Sequence, residues 1–398
     1  MNLLQLNIAS SLKNAQKIEG RDVQPKNEKH VFLSYGSPNP VLFPTKAYIN
    51  ASNEVLNTRA EIALQYRGGQ GTEQIKNWII SRGHHRHMSI EHDGILITAG
   101  AAQGIDFATR LLIDPGDEVW VESPSYFFAL QSFQLAGARI SSIPLDDDGI
   151  NIDIIEKKLN DRIKNLKKLP KCIYIMPNYH NPTGVSLSLE RRKRLAILAE
   201  KYNLVIIEDD AYAELSFNQH FLPSIHSLAP KNVIYLGTFS KIIAPGIRIG
   251  WVIADKSLIK KMELFLLGPQ ISPVIQEIIG TLLINLSFDD HLGELVNHYK
   301  HNRDVMVGEI VSNFGNHVSF NIPKGGFFIW LQFKNDIDLD ELANIAFDKG
   351  VSFVKGKEFY HQANKLQEIR LCYSYCNTDE IKEGIRLLAE AYDSLTTQ

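Results

Sequence analysis

The segment VIYLGTFSKIIAPGIRIGW, Val233 to Trp251, carries the residues of this chain best suited to chemistry. Thr238, Ser240, Lys241 and Arg248 lie between two apolar runs, Val233 to Gly237 and Ile249 to Ala254, whose β-branched and aromatic content predicts buried strands. A lysine held between buried strands loses solvation, which favours its neutral form, and a neutral amine can attack a carbonyl to form a Schiff base. Two hydroxyls and a guanidinium beside it suit a phosphate. Pro245 and Gly246 forbid regular helix across the gap and hold it as a shaped loop. A Ser-Lys pair alone is usually a strand-end lysine pointing to water, so the chemistry depends on what other elements bring to the same place.

Those elements follow from Gly94 onward as strand, loop and helix in alternation. GILITAG, DEVWVES, Lys171 to Met176 and Leu204 to Ile207 read as strands; AAQGIDFATRLLI, SYFFALQSFQLAG and Leu189 to Lys201 read as helices. This pattern predicts a parallel sheet with its ligand at the carboxyl edge. Polar groups arrive at four strand ends: Ala102 and Gln103 at a helix N-terminus suited to phosphate, the turn PNYHNPTG with Asn181, the pair Asp209 and Asp210 before Tyr212, and Lys241.

Upstream, residues 1 to 30 are polar and predict a short helix with a mobile connection, and Phe32 to Pro44, with Gly36 and three prolines, predicts an extended segment that lines a cleft. Thr45 to Gln65 has helical spacing and ends at Tyr66 in a glycine loop; a second helix is expected from about Thr72 to Ser81. After Pro269 the alternation stops. Residues 274 to 313 predict one long or two abutting helices, followed by a hairpin around Lys324 to Phe333, a helix from Leu339 to Lys349, strands at Val351 to Val354 and Ile369 to Tyr375, and a helix from Thr378. Arg370 is the one charged side chain in IRLCYSY; it is either functional or paired, with Glu368 close by. The expected division is an N-terminal segment, 1–44, packing with a small domain, 274–398, and a large domain, 45–273, between them.

Across the 398 residues, 42 basic and 45 acidic side chains leave a net charge of −3, which gives no field that would favour nucleic acid or an anionic membrane. The three cysteines, Cys172, Cys372 and Cys376, suit neither a disulfide framework nor a zinc site and fit a reducing cytoplasm. No secretory leader or membrane span is evident. His84, His85, His87 and His92, interleaved with Arg82 and Arg86, read as a solvated helix end with no metal role.

Taken together, NPTG, DDAY and TFSK with a downstream Arg-x-x-Gly-Trp resemble the pyridoxal-phosphate-dependent aminotransferases of fold type I, in the branch of the 2-aminoadipate and kynurenine aminotransferases. The resemblance runs from Phe32 onward. It implies an α/β fold, with a mostly parallel central sheet and flanking helices forming the large cofactor-binding domain, plus a smaller α+β domain formed by the two chain ends. It implies pyridoxal 5'-phosphate as cofactor and a ping-pong transfer from an L-amino acid to a 2-oxo acid. Lys241 matches the lysine that holds the cofactor and moves the substrate proton, and Asp209 the acid that pairs with the pyridine nitrogen. Asn181 and Tyr212 match the partners of the ring's phenolic oxygen, Tyr126 the stacking aromatic, and Thr238, Ser240, Arg248 and the backbone around Ala102 and Gln103 the phosphate site. Arg370, with Asn181 and Gly36, matches the substrate site. Tyr66 matches a tyrosine that crosses from the partner subunit of a homodimer to the same phosphate. The chain departs from the pattern where Ala102 replaces a serine, removing one hydroxyl contact, and where Thr238 replaces another. Two other readings share these residues: a pyridoxal-phosphate lyase, decarboxylase or oxidase, and the effector-binding module of a regulator, which would need a DNA-binding domain before Phe32.

Overall fold

The computed structural model describes residues 29–266, 271–362 and 366–396; the helix expected within residues 1 to 30 falls on 1–28, outside the described residues. In chain order the fold opens with β1 (Val31–Phe32), α1 (Thr45–Thr58), α2 (Ala60–Ala63) and α3 (Glu73–Gly83). The alternating region comprises β2 (Ile95–Thr98), α4 (Ala101–Leu112), β3 (Glu118–Ser123), α5 (Phe127–Leu135), β4 (Arg139–Asp146), β5 (Gly149–Ile150), α6 (Ile152–Lys164), β6 (Cys172–Ile175), α7 (Leu189–Tyr202), β7 (Val205–Asp209), α8 (Ile225–Leu228), β8 (Val233–Thr238), β9 (Gly250–Ile253) and α9 (Lys256–Met262). It is followed by α10 (Pro273–Asn285), α11 (Phe288–Phe314), β10 (Val318–Phe320), β11 (Phe328–Phe333), α12 (Leu339–Lys349), β12 (Val351–Ser352), β13 (Val354–Lys355), β14 (Glu368–Cys372) and α13 (Thr378–Thr396).

The eight-stranded central sheet has the order β2-β9-β8-β7-β6-β3-β4-β5. Pairing is parallel from β8 through β4, while β9 runs against both its neighbours and β5 runs against β4. The sheet is therefore mostly parallel, as the alternation implies, but β2 reaches β8 only through the reversed strand β9. The sequence reading also passed over β4, β5 and α6. β4, RISSIPLD, alternates buried and exposed positions and carries Ser and Pro, so it lacks the continuous apolar run of its neighbours.

Alternation along the inner strands assigns the two faces. Trp120, Ile173, Ile175, Ile206 and Val233 point to one side and pack with Ile155 of α6, Leu195 of α7 and Ile225 of α8. Val121, Tyr174, Ile207 and Leu236 point to the other and join the core that includes Ile105 of α4 and Phe133 of α5. Each fully buried Leu or Ile contributes about 1.5–3 kcal/mol, so a one-residue slip of any inner strand would cost several such terms. Helix starts are set locally: Asn151 accepts the Ile154 N–H ahead of α6, Ser188 the Arg191 N–H ahead of α7, and Asp338 two N–H groups ahead of α12.

The four-stranded sheet β10-β11-β14-β13 is antiparallel throughout. The hairpin expected around Lys324 to Phe333 is formed by β10 and β11, joined through residues 321–327, and β11 also pairs with β14 downstream. The stretch from Thr45 to Gln65 breaks at Arg59 into α1 and α2, and residues 274 to 313 form two helices. β1 pairs in parallel with β12, and the Leu33 carbonyl accepts the Cys372 N–H at 2.8 Å, so the start of the described chain is stitched onto the C-terminal elements.

Candidate active site

A cleft of about 1400 Å³ opens at the carboxyl edge of the central sheet, where Lys241, Asp209, Tyr212, Asn181, Tyr126, Thr238, Ser240, Arg248 and Ala102 meet Gly36 and Arg370. The turn after β8 sets Lys241 facing the extended segment after β1, and its Nζ donates to the Gly36 carbonyl at 2.8 Å. The ammonium also lies 5.6 Å from the ring centroids of Tyr212 and Phe327. Burial lowers its pKa to about 8; Cys372 and Asp209 oppose the shift, and Arg370 and Arg248 add to it. A substantial neutral fraction of Lys241 is thus available near pH 8.

Asp209 closes β7, 2% exposed. Its Oδ2 accepts the Tyr174 hydroxyl at 2.7 Å, and its Oδ1 is buried with no hydrogen-bond partner among the described residues. Burial raises its pKa to about 6; Tyr174 and the Ala211 N–H oppose this, while Asp210 and Glu122 add to it. Such a carboxylate calls for a cation or a donor at Oδ1.

At the other end, α4 starts at Gly100 (φ 85°) with no side-chain cap, leaving N-terminal N–H groups available to an anion. Gly250 of β9 lies so near that a Cβ there would sit 2.6 Å from the Gly100 carbonyl carbon. Arg248 adopts the left-handed region (φ 52°) after the 3-10 turn Pro245–Ile247, and its Nη2 donates to the Ala99 carbonyl at 2.9 Å. The Thr238 hydroxyl lies 3.0 Å from Ser240 Oγ and 3.1 Å from the Ile249 carbonyl and accepts the Ser240 N–H. Guanidinium, hydroxyls and helix terminus together have the chemistry that could hold a phosphate dianion.

Arg370, 4% exposed, extends from β14 into the cleft beside Phe328 and Phe359. It donates to Asn181 Oδ1 at 3.0 Å and to the Ser34 carbonyl at 2.8 Å, and its Nε has no hydrogen-bond partner among the described residues. The alternative of an ion pair with Glu368 fails, because Glu368 accepts the Tyr360 hydroxyl at 2.7 Å and Arg370 has no carboxylate partner among the described residues. Two expected residues stand apart from the cleft. The Gln103 carboxamide oxygen turns back to accept the Ala99 N–H at 2.7 Å, and the Gln103 backbone N–H donates to the Gly100 carbonyl. Tyr66 is 95% exposed on the loop after α2.

Against known proteins, residues 37–388 match the family model for aminotransferase class I and II. The chain belongs to the class I and II aminotransferases. It is 34% identical over 364 residues to aromatic-amino-acid aminotransferase 1 of Thermococcus litoralis, covering 90% of this chain and 87% of that one. Among solved structures, the multiple substrate aminotransferase of Thermococcus profundus superposes with a TM-score of 0.87 at 33% identity, covering 98% and 96% of the two chains. The α-aminoadipate aminotransferase LysN of Thermus thermophilus, solved with N-(5'-phosphopyridoxyl)-L-leucine, gives a TM-score of 0.85 at 28% identity over 98% and 96%. Membership makes this chain an enzyme that moves an amino group from an amino acid to a 2-oxo acid, and the family implies pyridoxal phosphate. The partnerless Asp209 Oδ1, the partly neutral Lys241 and the phosphate cradle fit that group.

Behind the residues of this aminotransferase that face the cleft lies a buried polar layer that the sequence did not announce. Arg86, read as a solvated residue of a His/Arg run, is 3% exposed, and its Nη1 lies 2.8 Å from Asp210 Oδ2. Asp210 Oδ1 accepts from Asn178 at 2.6 Å, and Asn178 Oδ1 accepts from the fully buried Arg192 at 2.7 Å. His84, His85 and His87 around Arg86 are exposed, as expected. On the other side, Glu122 of β3 accepts the Met176 N–H at 2.8 Å and lies 3.2 Å from His180. These contacts tie the loop bearing Asn181 to the end of β7. Asp210→Asn strips the buried Arg86 of its counter-charge and is expected to cost about 3–5 kcal/mol of stability, read from denaturant unfolding, while the groups that face the cleft stay in place.

Proposed function

We propose that the cleft binds pyridoxal 5'-phosphate and an α-amino acid together, and that Lys241, Asp209 and Arg370 carry the reaction. The carrying observation is the convergence of a lysine of lowered pKa, a buried carboxylate oxygen without a donor and a buried arginine without a carboxylate. When bound, pyridoxal phosphate supplies an electron sink for the pair left behind as the substrate Cα proton departs. Thr238, Ser240, Arg248 and the α4 N-terminus would hold the phosphate. Asp209 Oδ1 would keep a proton on the ring nitrogen, Asn181 and Tyr212 would serve the ring oxygen, and Tyr126 would stack on the ring. Lys241 would anchor the aldehyde carbon through its neutral amine and, with substrate bound, would take the proton from the substrate Cα. The planar guanidinium of Arg370 grips the substrate carboxylate in two-point fashion. The missing hydroxyl at Ala102 weakens cofactor retention. In the assay, an amino acid added to the loaded protein should bleach the aldehyde absorbance and 2-oxoglutarate should restore it; bleaching that a 2-oxo acid cannot reverse would favour a lyase or decarboxylase.

The working unit in this reading is a homodimer with shared sites. Support comes from Tyr66 at 95%, Leu64 at 69% and Ile62 at 50% exposure, an apolar tip beside a loop in which Gly69 and Gly71 take positive φ. Tyr66 would then reach the partner's phosphate. Mixing Lys241→Ala with Tyr66→Ala subunits should restore activity through one intact site per heterodimer; an active monomer in sedimentation, or no recovery on mixing, would contradict it. The three cysteines are free and buried, which supports a reducing, cytoplasmic location.

A further inference from the structure

Tyr174 lies outside every role described above, yet its hydroxyl is the one side-chain donor to Asp209 among the described residues. We propose that Tyr174 is a positioning residue that occupies Asp209 Oδ2 and so presents Oδ1 to the cofactor nitrogen. The proposal rests on the cofactor reading given under Proposed function. Tyr174 sits in the middle of β6, opposite Ile207 of β7, with no exposed surface and its ring edge-on to Phe133 at 5.8 Å. The ring is thus fully buried and packed against Phe133, and the phenol has little freedom to leave the carboxylate. With Oδ2 engaged at 2.7 Å, rotation of the Asp209 carboxyl would break a charge-assisted hydrogen bond, so Oδ1 stays in place without a ligand to hold it.

The charged surroundings make that donor matter. Facing Asp209 are Glu122 from β3, Asp210 on its own loop, Lys241 across the cleft and the Tyr212 phenol. Glu122 and Asp210 both disfavour a second anion, and each is already held elsewhere, by His180 and by Arg86. Removing the Tyr174 hydroxyl leaves the Ala211 N–H as the remaining donor, and the carboxyl shifts toward its neutral form. A neutral acid pairs less well with a protonated ring nitrogen.

Tyr174→Phe retains the ring and its contact with Phe133, and an unchanged circular-dichroism spectrum with a single cooperative unfolding transition verifies the fold. The variant is expected to weaken pyridoxal phosphate about tenfold at pH 7.5, which is about 1.4 kcal/mol, and to move the acidic limb of kcat/KM upward by about one pH unit. In an Asp209→Asn background the same substitution should change cofactor Kd by less than about twofold, because its partner is gone. 3-Fluorotyrosine at position 174, a more acidic phenol of nearly the same shape, should move the acidic limb the opposite way. An unmoved limb, or an equal loss of affinity in both backgrounds, would reduce Tyr174 to a packing residue and overturn the proposal. Wild-type protein that fails to bind pyridoxal phosphate would instead overturn the cofactor reading itself.

Discussion

Lys241→Ala is expected to abolish amino-group transfer, a loss on the order of 10⁶ in kcat, the scale observed when an enzyme loses its nucleophile. In the proposed reading the side chain would have two duties, anchoring the aldehyde and moving the proton from Cα. Its nearest hydrogen-bond partner is the Gly36 carbonyl; of the other cations lining the cleft, Arg248 and Arg370 are guanidinium groups that stay charged, and the Lys355 ammonium is engaged by Asp340 at 2.6 Å. The lowered pKa adds a pH signature. Capture of pyridoxal phosphate by cofactor-free protein should quicken about tenfold per pH unit up to about pH 8 and level off above it. The stability consequence has a definite sign. The folded chain holds this proton to about pH 8 and the unfolded chain to 10.5, so the penalty is fully present below pH 8 and is relieved as pH rises toward 10.5. Lys241→Ala should therefore fold at least as stably as wild type at neutral pH.

Asp209→Asn is expected to slow the reaction by about 10²–10⁴, because a neutral amide cannot hold a proton on the ring nitrogen and loss of one partner of a buried pair costs about 3–5 kcal/mol. The cofactor-free protein should move the other way. Burial raises Asp209 from 3.8 to about 6, so stability present below pH 3.8 is lost as pH rises through 6. At about 1.36 kcal/mol per pH unit, that gap leaves about 3 kcal/mol of cost at pH 7 that an amide need not bear. The adjacent acids thus separate cleanly: Asp209→Asn should lose turnover and keep or gain unfolding free energy, whereas Asp210→Asn should lose unfolding free energy. A reversed pattern would shift the assignment of the cofactor acid by one residue.

The cleft was legible because its chemistry sits in short motifs at strand ends, where side chains such as Asn181, Asp209 and Lys241 leave the sheet toward one edge. Arg370 was legible for a different reason, as a charge inside an apolar strand. The supporting layer was not. Tyr174 reads as one more apolar residue of KCIYIM, and only the parallel register of β6 against β7 brings its hydroxyl to Asp209. Arg86 hides in a run of histidines, and its partner Asp210 lies in a different part of the sequence. Both contacts depend on tertiary pairing, which motif spacing does not encode. The reversed strand β9 was missed because Gly250–Ile253 carries the same apolar signal as its parallel neighbours, and direction leaves no mark on composition.

Reduction of the pyridoxal-phosphate-loaded protein with borohydride, followed by proteolysis and mass spectrometry, tests the central assignment directly. The account predicts a pyridoxyl group on the peptide containing Lys241, at that residue alone, and none in Lys241→Ala. A pyridoxyl group on another lysine of the loaded wild type, or an undiminished yield in Lys241→Ala, would contradict it.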